Sequence, residues 1–415
     1  MEILKVIEAS WIRHCEISER NAFFPQQLKP SSHQFARCVK TGVTWRVDVM
    51  QGATAQHASA YGVKYQARCI VPYVLDPQRT RFLVGTQSLR EENEVHVITL
   101  PDNSSDIVCE GLYTHQHEIW DLAVCPFQPQ LISTVYASVG EYGAALWRIP
   151  DRSKAGHLNV QPLQNVASLD GHTTTIKCTL WWPSGEHNQL LSIDSENLFI
   201  WDLNTEQRAA KIQARLSAGE LHHMTGGAWD PHDVTKVATA IESSVQMWDL
   251  RSMKQSSRIE QAHSIQVRDI DFNPKRENIL ITAGDDSKIR VWDVKMPGMP
   301  LRELPGHSHW TWRVRFNPVY EELVLSAGTD SVVNLWHVSP VSSSQDSKPK
   351  SPYGSPKGPL DSLMRAYTEH EDSVYGIAWS ARDPWVFASL SYDGRVMVDS
   401  VPQNVRQKIA NHGKS

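Results

Sequence analysis

Tryptophan recurs along this chain with a spacing that few architectures can accommodate. Trp147, Trp201, Trp248, Trp292 and Trp336 each stand near the end of a short apolar run, and the gaps between them are 54, 47, 44 and 44 residues. Three are followed by aspartate, in Trp201-Asp202, Trp248-Asp249 and Trp292-Asp293; Trp147-Arg148 and Trp336-His337 are variants of the same site. A second signal runs in an independent register. A histidine precedes a proline by eleven positions four times: His115 to Pro126, His172 to Pro183, His263 to Pro274 and His307 to Pro318. Between each pair lies an alternating strand such as VRDIDFNP or WRVRFNP. A second strand follows (ILITAGDD, LVLSAGTD), then a tight turn and a third strand (KIRVWDV, VVNLWHV). Short alternating runs joined by Gly/Asp turns read as antiparallel meanders.

Repeats of about 40–45 residues ending in Trp-Asp mark a WD40 propeller, with one four-stranded blade per repeat. The predicted fold is therefore all-β, a seven-bladed WD40 β-propeller over 50–401. The first unit, 61–100, lacks the Trp-Asp; the next five cover 115–150, 171–203, 221–251, 262–294 and 306–338; the seventh is 370–401. Three segments fall outside the repeat: an N-terminal extension of weak order over 1–49, in which EILKVIEASWIRHCEI has amphipathic character, a Ser/Pro/Lys-rich stretch at 340–362, and a tail at 402–415. The stretch at 340–362 has almost no large apolar residues to bury and reads as a disordered insertion between the sixth and seventh blades. Its Ser-Pro pairs are candidate phosphate acceptors.

The co-occurrence of His, Ser/Thr, Asp and Trp in each repeat has a physical reason. Together they make a hydrogen-bonded tetrad, and a fully satisfied polar network rigidifies a blade. The fifth blade offers His263, Thr282, Asp286 and Trp292, and the sixth His307, Ser326, Asp330 and Trp336, with identical internal spacing. The seventh keeps His370, Ser389 and Asp393 but has Asp399 where Trp would stand. In the third and fourth, Ser195 and Glu242 occupy the turn-Asp position, which predicts weaker tetrads there. A propeller must also close, or leave sheet edges exposed. Two segments have the strand character to complete the last blade, TGVTWRVDV at 41–49 and the stretch just before Tyr61.

Composition narrows the function. The net charge is −5, which gives no electrostatic reason to expect nucleic acid or an anionic membrane as partner. No apolar run approaches the roughly 20 residues that span a bilayer. The six cysteines form no CxxC pair, so neither a zinc site nor another metal is expected. Eighteen histidines invite an acid–base or metal reading, but the regularly spaced ones fall once per blade and so point apart. No GxSxG, P-loop or GxGxxG is present. The chain reads as a non-catalytic, cofactor-free, monomeric scaffold.

Propellers bind mainly at the rim where the innermost strands begin. Four residues after the histidine stands a core residue, as in Ile119, Ile176, Val267 and Val374, and alternation turns the residues on either side of it towards the channel mouth. That selects Glu118, Trp120, Lys177, Gln266, Arg268, Trp310, Trp312 and Tyr375 as partner-binding candidates. Aromatic and arginine side chains are the residues that binding hot spots favour. The competing reading is that Trp120 and Trp312 plug the channel.

Several stretches lie outside the generic repeat pattern: YGVKYQARC (61–69), FLVGTQSL (82–89), HEIWDLA (117–123), RDIDFNP (268–274), GHSHWTW (306–312), EHEDSVYGIAWS (369–380) and DPWVFASLSYDGRV (383–396). In these the chain resembles the WD-repeat proteins that interact with the EARP and GARP vesicle-tethering complexes, and in particular a plant member. The resemblance covers roughly 50–401; family chains begin shortly before the YG-x-x-YQAR segment, and residues 1–49 have no counterpart in it. It implies a cytoplasmic adaptor, recruited peripherally to the trans-Golgi network and endosomes. It also implies that the adaptor binds tethering-complex subunits in endosomal recycling and endosome-to-Golgi retrograde transport. The alternatives on the same fold are a chromatin-associated, histone-binding adaptor or a ubiquitin-ligase substrate receptor, because fold alone does not decide function.

Overall fold

A computed structural model describes residues 59–412 apart from 75–77, 103–105, 139–140, 151–159, 184–186, 220–222 and 339–361, together with two short strands, Cys38–Thr41 and Thr44–Val47. Among the described residues of 59–412 the strands form seven antiparallel four-stranded sheets, one of which gains a short parallel fifth strand, Gln161–Pro162. The innermost strands are Ala67–Pro72, Glu118–Val124, Ile176–Leu180, Met224–Trp229, Val267–Phe272, Thr311–Phe316 and Val374–Trp379. Each packs against the next and the last returns to the first, which makes a closed seven-bladed propeller.

The sequence pattern of each strand follows from its place in a blade. Second strands lie between two neighbouring blades and are apolar or small on both faces, so Ile279–Gly284 and Leu323–Gly328 are buried at every position. Outer strands face solvent and lose that signature, as in Lys254–Ile259, KQSSRI. The core is accordingly a series of apolar clusters between adjacent blades; Ile281, Val291, Phe316 and Trp336 belong to the one between the fifth and sixth.

Two expectations need correction, and two points left open are now decided. The repeat units counted from the sequence contain three strands each, because the outer strand carries too little apolar periodicity to be recognised. The sixth blade's outer strand is Ser362–Tyr367, so the Ser/Pro/Lys segment interrupts that blade between its third and fourth strands and does not separate two blades. Residues 339–361 themselves lie outside the described residues, as do the repeat-free residues 1–37. The tail at 402–415 includes a helix, Gln403–His412, whose Val405 and Ile409 stand on one face and pack into the core of the sixth and seventh blades. Finally, the seventh blade is completed by Ser59–Gly62, which pairs antiparallel with Arg395–Ser400 in the register Ser59↔Val398 to Gly62↔Arg395. Thr44–Val47, from the better-alternating candidate, pairs with Cys38–Thr41 in a sheet of its own.

The tetrads are laid out as chains of donors. In the sixth blade Trp336 Nε1 donates to Ser326 Oγ at 2.9 Å, Ser326 Oγ to His307 Nε2 at 2.8 Å, and His307 Nδ1 to Asp330 at 2.9 Å. The fifth repeats this with Trp292, Thr282, His263 and Asp286 at 3.0, 2.7 and 2.7 Å. Burial pushes the Asp330 carboxyl up, but hydrogen bonds from His307 and Ser308 outweigh it and hold it down at about 2. The third blade has a full tetrad, contrary to expectation. Asp194, at the end of the second strand, accepts from His172 at 3.0 Å, so Ser195 is not needed. The fourth blade keeps Trp248 to Thr239 at 2.8 Å, with Glu242 in the turn at a left-handed φ of 52°. In the second blade the carbonyl of His117 takes the place of the carboxylate on His115 Nδ1, at 2.7 Å. In the seventh, Ser391 stands between His370 and Asp393 at 2.9 and 2.5 Å.

Register places Asp399 opposite Phe387, the seat that Trp336 holds opposite Val324. Burial pushes the Asp399 carboxyl up to about 7, with the Glu369 charge adding and Arg365 opposing.

Three outcomes follow from these contacts. Trp336→Ala should destabilise the protein by about 3–5 kcal/mol for lost packing and a further ~1–3 kcal/mol for the stranded Ser326 and His307. Thermal melting checks it, and an unchanged midpoint would show that the indole bears no structural load. Asp399→Asn should stabilise. A carboxyl raised in the folded state incurs its penalty as pH rises from the ordinary carboxylate range through about 7, and none below that range. The variant's melting point should therefore match wild type at pH 4 and exceed it at pH 8; a gain present equally at both would mean that charge is not the cause. A chain beginning at Met50 retains Ser59–Gly62 and should unfold cooperatively, whereas one beginning at Val63 should aggregate or melt early through its open edge. Equal stability of the two would mean that closure adds nothing.

Candidate partner-binding rim

The start of each innermost strand carries the same irregularity. Pairing with the second strand slips by one residue between Ala67 and Cys69, Ile119 and Asp121, Ile176 and Cys178, Met224 and Gly226, Val267 and Asp269, Thr311 and Arg313, and Val374 and Gly376. Each slip is a β-bulge, which leaves one residue unpaired and re-aims its side chain. The extra residues are Arg68, Trp120, Lys177, Thr225, Arg268, Trp312 and Tyr375. The fifth position after the histidine therefore turns to the rim because of a bulge, and simple alternation is not what puts it there.

These side chains touch one another across blades. The Arg68 guanidinium lies 5.2 Å from the Trp120 ring centroid, 4.6 Å from Tyr375 and 5.1 Å from Tyr392. Tyr375 meets Trp312 edge-on at 4.9 Å. Arg268 lies 4.8 Å from Trp312 and 5.4 Å from Trp310. The result is a strip of cations and rings, Trp120, Arg68, Tyr375, Trp312 and Arg268, that runs from the second blade through the first, seventh and sixth to the fifth. Such contacts contribute about 0.5–1 kcal/mol each at exposed sites, more when desolvated. Arg268 is also held by Asp285, through Nε and Nη2, both at 2.6 Å.

Of the residues expected at the rim, Trp120 is the most open, at 41% exposed. Lys177, Gln266, Arg268, Trp310 and Trp312 are half-buried. Two depart from expectation. Tyr375 is buried because Arg68, Trp312 and Tyr392 pack around its ring, and Glu118 is buried beneath the rim. Burial pushes the Glu118 carboxyl up, opposed by a hydrogen bond with Trp120. Arg68, Thr225 and Tyr392 were not foreseen. The first blade has no tetrad histidine from which to count, although the buried Ala67 and Cys69 flanking Arg68 carry the same strand-start pattern.

Below the bulges the channel wall is charged. Asp121 accepts from the Thr179 backbone N–H at 3.2 Å, Asp269 from that of Val314 at 2.9 Å, and Asp271 from that of Phe316 at 2.8 Å. In each pair the carboxylate stands on one blade and the amide on the next. Arg313 and Arg315 both reach Asp269. Burial raises the Asp121 and Asp271 carboxyls to about 6 and about 7, with Arg313 and Arg315 opposing. Among the described residues no group of three or more His, Cys, Asp and Glu side chains could hold a metal ion, and no helix is long and apolar enough to cross a membrane.

Comparison with known proteins settles the lineage. The family model described as the EIPR1 beta-propeller matches residues 55–336, and a WD domain, G-beta repeat model matches 361–398. The chain belongs to the EIPR1 β-propeller family. It is 51% identical over 352 residues to the WD repeat-containing protein DWA2 of Arabidopsis thaliana, which covers 85% of this chain and 98% of that one. It is 38% identical over 378 residues to the EARP-interacting protein homolog of Danio rerio, and 35% over 379 to the EARP and GARP complex-interacting protein 1 of Homo sapiens. Both alignments cover 84% of this chain and 97% of the relative. The family model spans the blades that carry Arg68, Trp120, Arg268 and Trp312, and the WD repeat model spans the seventh blade with Tyr375.

Proposed function

We propose that this propeller is a non-catalytic adaptor that binds vesicle-tethering complexes of the EARP and GARP type. On this reading it works in the cytoplasm, is recruited peripherally to the trans-Golgi network and endosomes, and serves endosomal recycling and endosome-to-Golgi retrograde transport. The observation that carries the reading is that relatives named for interacting with those complexes align over 97% of their own length, so the whole ring is shared and not one repeat of it. The rim supports it from the physical side. Interface energy concentrates in a few Trp, Tyr and Arg anchors, and those residue types are gathered there across five blades.

Co-precipitation from cells, read by mass spectrometry, tests the partner: tethering-complex subunits are expected, and histones or ligase scaffolds in their place would overturn the proposal. The rim is tested by replacing Arg268 and Trp312 together with alanine. Capture should fall roughly thirtyfold or more, since truncating a hot-spot residue costs about 2 kcal/mol or more. Because Arg268→Ala strands Asp285, the open-lying Trp120→Ala serves as a second variant. Undiminished capture by both folded proteins would move the interface to the sides or the opposite face.

A further inference from the structure

The outer strand of the third blade differs from the other six. Ala209–Ser217 is nine residues long, and three consecutive residues in it, Lys211, Ile212 and Gln213, are exposed. Outer strands elsewhere run three to six residues, apart from Val108–His115 of the first blade with eight. That long edge has taken up an added strand, Gln161–Pro162. Among the described residues no strand pairs with the outer edge of Ala209–Ser217. An open edge leaves a row of backbone donors and acceptors able to pair with another extended chain. Four residues are enough in this ring, since Ser59–Gly62 completes the seventh blade over that length. We infer that Ala209–Ser217 takes up an extended acidic segment of a partner protein as a fifth strand of the third blade. The edge lies on the perimeter of the ring, so the inference depends neither on the rim nor on the tethering-complex reading.

Charge selects the occupant. The strand carries Lys211 and Arg215 and no carboxylate, in a chain whose net charge is −5. Arg215 is engaged by Asn197 Oδ1 at 2.9 Å and by the Phe199 ring at 5.5 Å, so its charge is already used. Lys211 and Arg208, the latter in the turn before the strand, are exposed, and their side chains have no hydrogen-bond or ion-pair partner among the described residues. Asp202 stands opposite Lys211 on the inner side of the ladder, but no ion pair joins them. The Lys211 ammonium is therefore available to a carboxylate on the open side. A second copy of this chain fits poorly. Antiparallel pairing about Gln213 would set Lys211 opposite Arg215, and pairing about Lys211 would set that residue against itself; like charges directly opposite destabilise a ladder. A lysine on an edge strand blocks such self-pairing and admits a strand that places Asp or Glu against it. Beside it Ile212, 44% exposed, offers that strand an apolar contact.

The test uses the full chain and a short fluorescein-labelled peptide in which Glu alternates with Val. The controls are the same peptide with alternate backbone amides N-methylated, which cannot complete a ladder, and a peptide with Lys in place of Glu. The Glu peptide should bind, and its binding should slow amide hydrogen exchange within Ala209–Ser217. Lys211→Glu should weaken the Glu peptide about fivefold or more and strengthen the Lys peptide, because a cross-strand charge pair changes sign. Lys211 is exposed, so the variant keeps its fold. Lys211→Gln, which removes the charge without reversing it, should give a smaller loss. Failure of the Glu peptide to bind, equal binding of the N-methylated peptide, exchange slowed at the rim instead of in Ala209–Ser217, or binding unchanged by Lys211→Glu would each overturn the inference.

Discussion

The ring depends on four residues that come from the wrong end of the chain. Ser59–Gly62 supplies the outer strand of the last blade, so the N-terminal end of the propeller is hydrogen-bonded to its C-terminal end. Without that pairing the strand Arg395–Ser400 would present a row of unsatisfied backbone groups, and the first and seventh blades would have no covalent reason to stay together. Tyr61 adds a side-chain tie. Its hydroxyl donates to His96 Nδ1 of the first blade at 2.9 Å, and His96 Nε2 in turn donates to Glu94 at 3.1 Å. The strand that closes the seventh blade therefore also grips the first. The rim exists only because of this closure: Arg68 and Tyr375, its central contact, stand on the two blades that closure brings together.

Inside the ring a different edge has to be managed. Innermost strands carry backbone groups on the channel side that no further strand can pair. The carboxylates of Asp121, Asp269 and Asp271 accept from amides of the neighbouring blade's innermost strand, and Thr225 Oγ1 donates to the Val267 carbonyl across the next boundary. Side chains thus satisfy part of what a continuous sheet would satisfy with backbone. The same bonds fix how far each strand can slide relative to its neighbour. That limits the movement of the bulge residues above them.

Legibility in the sequence followed the strength of local constraint. The fifth and sixth blades were readable to the residue because their His, Ser/Thr, Asp and Trp must meet at hydrogen-bonding distance, and the chain between them tolerates no length change. The third blade misled because its turn is shorter, so the carboxylate came from Asp194 on the strand and not from the turn position that the other blades use. Outer strands were missed where solvent on one side relaxes the apolar pattern. The closing strand was ambiguous for a related reason. Four residues contain too little periodicity to outweigh Thr44–Val47, whose alternation is better but which pairs elsewhere. Arg68 escaped because the rule that found its counterparts counted from a histidine that the first blade does not have.

The bulges explain how one repeat can hold both a structural role and the recognition role proposed for its rim. Residues fixed by the tetrad and the inter-blade core determine the strand before and after the slip, and those positions have little freedom: Ile119, Val267 and Val374 are all fully buried. The inserted residue belongs to neither face of the pleat, so its identity is released from the pattern that constrains its neighbours. Such positions are freer than their neighbours, although Thr225 is tied to the Val267 carbonyl across a blade boundary and Arg268 to Asp285. In this chain they hold arginine, tryptophan, lysine, threonine, arginine, tryptophan and tyrosine, whereas the residues just before them are apolar in six of seven blades, Thr311 being the exception. A ring built from nearly interchangeable repeats thereby acquires a rim that is not interchangeable at all, and the chemical character of that rim is set by the inserted residues more than by the fold that presents them.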